Sequence, residues 1–255
     1  MKLLIKVGGS LLDSPASRAR LAREIAEIDH SVVVVHGGGK QMTRYLTGRG
    51  IESRFVNGLR VTTADVIDAV LKVFAGTVNT ELVGAFRAAG ARAVGLTGLD
   101  AGLVDAERLS EELGAVGRPV RSDARLIDLL AREHYIPVVA CVAGDANGVI
   151  YNVNADQMAV ACASSFGAEK LIFLTDVDGV KGAAGNVIKS LTAAEAAGLI
   201  ETGVATGGMQ AKLHAAVSAL RTGVKEIFIA PGSRPGIVRE ILTNIYIGTK
   251  IVDKA

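Results

Sequence analysis

The sequence has no tryptophan, only six phenylalanines and four tyrosines, and no charge of one sign in excess, since 28 basic and 26 acidic residues nearly cancel. With few aromatic platforms to stack bases and no cluster of basic residues, the usual footprint of a nucleic-acid binder is excluded. No apolar run approaches the roughly 18 residues of a membrane span. The apolar part of the amino-terminal MKLLIKVGG is too short for a secretory signal. The expectation is a cytoplasmic protein. Only two cysteines occur, Cys141 in VVACVAG and Cys162 in AVACASS, with no CxxC and no histidine nearby, so both read as small buried hydrophobes. The four histidines show no metal-ligand spacing, and no protein ligand for a metal is expected.

Thirty glycines against five prolines, in a chain that is 49% apolar, point to an α/β protein with many tight strand-to-helix turns. Short β-rich runs (3–7, 32–35, 136–140, EIFIA at 226–230) alternate with helical patterns (18–28, 123–132, 157–166, 209–220). That order predicts βαβ units and a mainly parallel sheet covered on both faces. Val66, Val70, Phe74, Val78, Leu82 and Phe86 recur near a 3.6 spacing after Thr63, which predicts one long helix or two nearly continuous ones. Asn147-Gly148 is a hairpin signal. Two lobes on one continuous sheet, divided near residue 167, are expected.

Two glycine turns follow apolar strands: Gly8-Gly9 after LLIKV, and Gly37 to Gly39 after VVVVH. Bare backbone lets amide N–H groups approach phosphate oxygens, although each turn alone could be only a tight turn. Neither matches GxxxxGK[ST] or GxGxxG, which leaves a P-loop or a nicotinamide-binding oxidoreductase unsupported. Lys6 precedes the first turn and could either snorkel from an edge strand or aim at that turn. Asn152, Asn154 and Asp156 alternate in YNVNADQ, so their side chains could share one face of an extended segment, with at least one serving as a helix cap. TDVDG (175–179) ends a strand with two carboxylates, Gly207-Gly208 opens a helix with Lys212 one turn in, and Arg60 in NGLRVT could clamp a carboxylate. His36, at a strand end, reads as a structural residue.

In family order and across nearly the whole chain, KVGGS (6–10), VVVVHGGGK (32–40), NGLRVT (57–62), AGTVN (75–79), YNVNADQ (151–157), LTDVDGV (174–180) and GGMQAK (207–212) resemble the amino-acid kinase family. Within it, the resemblance is to the branch acting on N-acetyl-L-glutamate. It implies an open three-layer αβα sandwich, with residues 1–167 as an acyl-amino-acid-binding and dimerising lobe and 168–255 as an ATP-binding lobe. It also implies transfer of the γ-phosphoryl group of ATP, with Mg2+, to a side-chain carboxylate in the second step of arginine biosynthesis. Position by position, it makes Lys6 and Lys212 the stabilisers of the transferring group and Asp156 their organiser. Gly38, Gly39, Arg60, Asn152 and Asn154 fall to the acyl amino acid. Gly8, Gly9, Thr175, Asp176, Val177, Gly179, Val180 and Gly208 fall to ATP. Backbone donors come from Gly8, Gly9, Gly38 and Gly39. Arginine-inhibited members carry a helix ahead of the first strand; this chain begins at MKLLIKVGG, so a homodimer without that feedback is expected. The alternatives are the same chemistry on N-succinylglutamate or carrier-bound aminoadipate, and a catalytically silent effector-binding module.

Overall fold

A computed structural model describes residues 1–245 and 247–254. The central sheet has eight strands: β1 (Lys2–Val7), β2 (Ser31–His36), β5 (Arg92–Thr97), β8 (Tyr135–Ala140), β11 (Lys170–Thr175), β12 (Ser190–Thr192), β13 (Glu226–Pro231) and β14 (Thr249–Val252). Its order is β12-β14-β13-β11-β1-β2-β8-β5, with β14 antiparallel to β13 and every other pairing parallel. Three strands form its centre: β1 lies between β11 and β2 and pairs with both along nearly its full length. The sheet therefore crosses residue 167 without a break.

The central strands are continuous apolar runs because both faces are covered. Leu3 to Ile5, Val33 to Val35 and Leu171 to Leu174 are fully buried, each such side chain contributing roughly 1.5–3 kcal/mol of transfer free energy. The covering helices are α1 (Pro15–Ala26), α2 (Gly39–Thr47), α3 (Ala64–Val70), α4 (Asn79–Ala88), α5 (Arg125–Arg132), α6 (Ala155–Phe166), α7 (Ala193–Glu201), α8 (Gly207–Arg221) and α9 (Ile237–Leu242). The chain itself marks where they start. Ser14 caps α1, with Pro15 in the first turn. Thr63 caps α3, and a Thr192/Glu195 capping box opens α7. Among the described residues, no helix is long and apolar enough to cross a membrane.

The long helix expected over 63–86 is continuous, but its middle, Leu71–Val78, is π-helical between α3 and α4. The helix expected over 18–28 starts earlier, at its Ser14 cap, and ends at Ala26.

A small closed barrel, not evident from the sequence pattern, is formed by β6 (Val104–Arg108), β7 (Val116–Ser122), β9 (Val142–Gly144) and β10 (Ile150–Val153). Arginines and Pro119 hide β7 from a pattern search. The β6–β7 register shifts between Asp105 and Ala106, next to Pro119, and such an irregularity tolerates proline. The Asn147-Gly148 turn does join an antiparallel pair, β9 and β10. A two-stranded hairpin, β3 (Phe55–Val56) and β4 (Leu59–Arg60), stands over the start of α2.

Candidate active site

The carboxyl ends of β1, β2, β8, β11 and β13 open on the same edge of the sheet, and the chain leaves β1 for β2 on one side while β11 flanks it on the other. Such a crossover crevice is where open α/β sheets bind ligands. Lys6, one residue from the end of β1, is 7% exposed. It lies on the innermost strand, not at a sheet edge, so snorkelling to solvent is not open to it.

Its Nζ sits 2.8 Å from Asp156 Oδ1, while Lys212 Nζ, from the second turn of α8, donates to Asp156 Oδ2 at 3.1 Å. One buried carboxylate thus holds two ammonium groups, one on each oxygen. Burial works to raise the Asp156 carboxyl pKa, but the charges of Lys6 and Lys212 and their hydrogen bonds outweigh it and leave that pKa below the usual range. Asp156 also stands in the first turn of α6, where the helix dipole favours an anion. Two cations on one anion leave a net positive centre, suited to an anionic group.

The alternating polar residues of YNVNADQ do not share one extended face, because helix α6 begins within the motif. Asn152 remains on β10 and donates to Thr62 Oγ1 at 3.0 Å. Asn154 becomes the N-cap, accepting from the amides of Asp156 and Gln157, and Asp156 turns to the lysines. Asn154 also borders a cavity of about 680 Å3 between β7, α6 and α8.

The two glycine turns meet. A Cβ on Gly9 would lie 2.8 Å from the Gly39 nitrogen, so these backbones touch only because no side chain intervenes. Gly38 is bare for another reason: its Cβ would lie 2.9 Å from Phe74 Cδ1, whereas Gly39 has nothing within 4 Å of that position. Among the described residues, the amides of Gly38 and Gly39 donate to no protein acceptor. Gly8 differs, since its amide donates to Leu174 O at 2.9 Å and is already used by the sheet.

Arg60 reaches from the hairpin to this turn. Its Nη2 donates to Thr43 Oγ1 at 2.9 Å and to Gly39 O at 3.4 Å, Nη1 bonds Ser53 Oγ, and the guanidinium stacks on Phe55 at 4.6 Å. It pairs with no carboxylate among the described residues, so a charge-assisted contact is open to an anionic ligand. Thr62 links the two ends of this region, donating to Arg60 O at 2.9 Å while accepting from Asn152.

On the other side of β1, Thr175 ends β11 and its hydroxyl donates to Asp176 Oδ1 at 3.2 Å. Val177 is exposed, whereas Val180 is fully buried and its amide donates to Thr249 Oγ1 at 2.8 Å. Gly179 packs against Thr249 and Val187, so the far end of TDVDGV is anchored; Thr175 is buried at the strand end, and residues 176–178 between the two are exposed. Gly208 lies in the first turn of α8, with open space where a side chain would be.

His36 is fully buried and neither ring nitrogen is free. Nδ1 bonds Gly37 O at 2.9 Å, and Nε2 faces Asn79 Nδ2 at 3.0 Å. Burial holds its pKa down to about 4, against the hydrogen bond to Gly37, which raises it. Burial likewise pushes the Cys162 thiol up to about 12 and the Cys141 thiol higher still, so neither is a thiolate. Asn79, Thr62, Ser53 and Thr43 were given no role in the sequence reading. Asn79 carried one usable signal, a polar residue following Val78 in the apolar stripe.

Residues 1–231 match the Amino acid kinase family. The chain is 64% identical over 255 residues to the acetylglutamate kinase of Solibacter usitatus, with 99% of each chain covered. It is 40% identical over 258 residues to that of Acidobacterium capsulatum, again with 99% of each covered. Among solved structures it resembles the N-acetylglutamate synthase from Neisseria gonorrhoeae complexed with coenzyme A and N-acetyl-glutamate, with a TM-score of 0.89 and 25% identity. That match covers the whole of this chain and 60% of the synthase chain. The fold is also that of Giardia carbamate kinase, with a TM-score of 0.72, 15% identity and 99% of each chain covered. The buried lysine pair on one carboxylate, the two facing glycine turns and these likenesses agree, and the chain belongs to the amino acid kinase family.

Proposed function

We propose that the protein transfers the γ-phosphoryl group of ATP to the side-chain carboxylate of N-acetyl-L-glutamate, giving an acyl phosphate and ADP, the second step of arginine biosynthesis. The observation that carries the reaction class is the Lys6–Asp156–Lys212 cluster at the crossover of the sheet. The relatives called acetylglutamate kinase carry the choice of acceptor.

In the transfer, a carboxylate oxygen forms a bond to phosphorus as the bond to the β-phosphate oxygen breaks. The nucleophile is ionised at neutral pH, so no proton has to be removed and no general base is needed. What remains is to position the two anions and to offset charge on the transferring group. Lys6 and Lys212 supply that charge, and Asp156 holds both ammonium groups in place. Gly9, Gly38 and Gly39 supply bare backbone, Arg60 and Asn152 hold the acyl amino acid, and Asn154 fixes the start of the helix that carries Asp156. Thr175, Asp176, Val177 and Gly208 border the nucleotide, and Gly179 and Val180 anchor that loop.

Magnesium fits this donor set as an ion carried by the nucleotide. Both Asp156 oxygens face lysines, and no group of three or more His, Cys, Asp or Glu able to hold a metal occurs among the described residues. Mg2+ is commonly held by phosphates and water with one or two carboxylates at most. Residues 1–167 bind the acyl amino acid and residues 168–255 the nucleotide in this reading, and the working unit is a homodimer in the cytoplasm.

The test is hydroxylamine trapping of acyl phosphate with ATP and Mg2+, comparing N-acetylglutamate, N-succinylglutamate and aspartate. Preference for the acetyl compound is expected, and preference for the succinyl compound would change the substrate and keep the mechanism. The likeness to a protein called a synthase favours one rival, a fold that binds the acyl amino acid without phosphorylating it. Binding of N-acetylglutamate with no ATP consumption would select that rival.

A further inference from the structure

The glycine turn at residues 37–39 is held from beneath by residues that touch no open surface. Asn79 Nδ2 lies 3.0 Å from His36 Nε2 and donates to Val138 O at 2.9 Å. An amide NH2 facing a ring nitrogen requires that nitrogen to be bare. The proton of the neutral imidazole then sits on Nδ1 and is donated to Gly37 O. Cys141 Sγ donates to the His36 carbonyl at 2.8 Å from the neighbouring strand end. Both the ring and the backbone of His36 are therefore fixed.

The π-helical segment brings these contacts to one place. The Asn79 amide donates to Phe74 O, an i to i+5 bond, so Phe74 and Asn79 are one π-turn apart. Phe74 packs on Gly38 while Asn79 reaches His36 beside it. Gly95 leaves room for the Asn79 carboxamide, since a Cβ there would lie on its Oδ1. A helix interior that departs from α geometry, a buried asparagine and a glycine on β5 all converge on one carbonyl, that of Gly37.

We propose that His36 and Asn79 are positioning residues for phosphoryl transfer: locked in one tautomer, the imidazole holds the Gly37 carbonyl so that the unbonded amides of Gly38 and Gly39 stay aimed at the anionic groups. This role presupposes the phosphoryl-transfer reading above. A preorganised donor acts on the transition state more than on binding, so its misalignment lowers kcat and leaves KM nearly unchanged.

The experiment compares His36→Asn, whose amide can replace the Nδ1 donor, with His36→Gln and Asn79→Ala, measuring kcat, both KM values and Tm. Expected are a kcat within about threefold of the parent for His36→Asn and a loss of roughly tenfold to hundredfold for the other two, with KM within about threefold. Equal losses in both His36 variants, tracking Tm, would reduce the pair to a fold-stabilising role and overturn the proposal. If the variants do not fold, 15N NMR of the unaltered protein decides. A bare Nε2 and protonated Nδ1 from pH 5.5 to 8 is expected, and the other tautomer, or an imidazolium at neutral pH, would overturn it. No trapped acyl phosphate from the unaltered protein would instead sink the phosphoryl-transfer reading.

Discussion

A lysine on the innermost strand of a sheet is costly to bury unless its charge is met, and Lys6 is met by a carboxylate that also serves Lys212. The arrangement is asymmetric by design: one anion neutralises half of two cations, and the remainder is available to a phosphoryl group. In the proposed transfer, removal of either ammonium would take away charge needed most when the γ-phosphoryl is in transit. Lys6→Ala and Lys212→Ala are each expected to lower kcat by roughly a hundredfold or more, on the scale of losing one preorganised donor. Single-turnover kinetics at saturating ATP would check this, and near-normal turnover in both variants would remove them from the mechanism. The pattern in KVGGS and GGMQAK was legible at this scale. The reason for Lys6 being buried was not, because an isolated strand does not reveal whether it lies at the edge or the centre of a sheet.

At the scale of elements, Gly38 and Gly39 after VVVVH are bare for different reasons. Gly38 must admit Phe74 of the π-helical segment, whereas Gly39 faces open space at the start of α2. Gly38→Ala is expected to lower stability by about 1–3 kcal/mol through overpacking. Gly39→Ala is expected to leave Tm within a degree or two and to reduce turnover, because its methyl group enters the site and not the core. Thermal unfolding and trapping assays on both variants separate the two effects; equal loss of Tm would show that Gly39 too is a packing residue. The long apolar stripe from Val66 to Phe86 predicted the helix, but periodicity near 3.6 could not reveal its π-helical middle. That departure depends on Phe74, Asn79 and Gly95 meeting residues from β2 and β8.

At the scale of the whole molecule, stability in acid depends on groups that folding shields from protons. The His36 pKa is near 4 in the folded chain and 6.5 in the unfolded one, so between these values the unfolded chain binds more protons. Its contribution is fully present above pH 6.5 and falls by about 3 kcal/mol as the pH drops to 4. Asp156 acts at lower pH: its folded pKa is depressed, so its contribution is present above the ordinary carboxylate range and is lost as pH falls through the folded value. Urea unfolding from pH 7 to pH 4 is expected to show a stability decline that flattens in His36→Asn. An unchanged slope in that variant would assign the decline to other groups. At this scale the four-stranded barrel was not legible, because Pro119 and the arginines of β7 break strand patterning.

The sequence by itself determined the α/β class, the parallel strands buried on both faces and the glycine turns, because composition, periodicity and local turn chemistry are properties of neighbours along the chain, while the roles expected of Lys6 and Lys212 came from the family resemblance of their motifs. Only the tertiary structure decided that Asp156 bridges two lysines, that Gly9 rests on Gly39 and that Asn79 sets the His36 proton. Those contacts join segments 30 to 150 residues apart, and only strand order and helix packing bring them together.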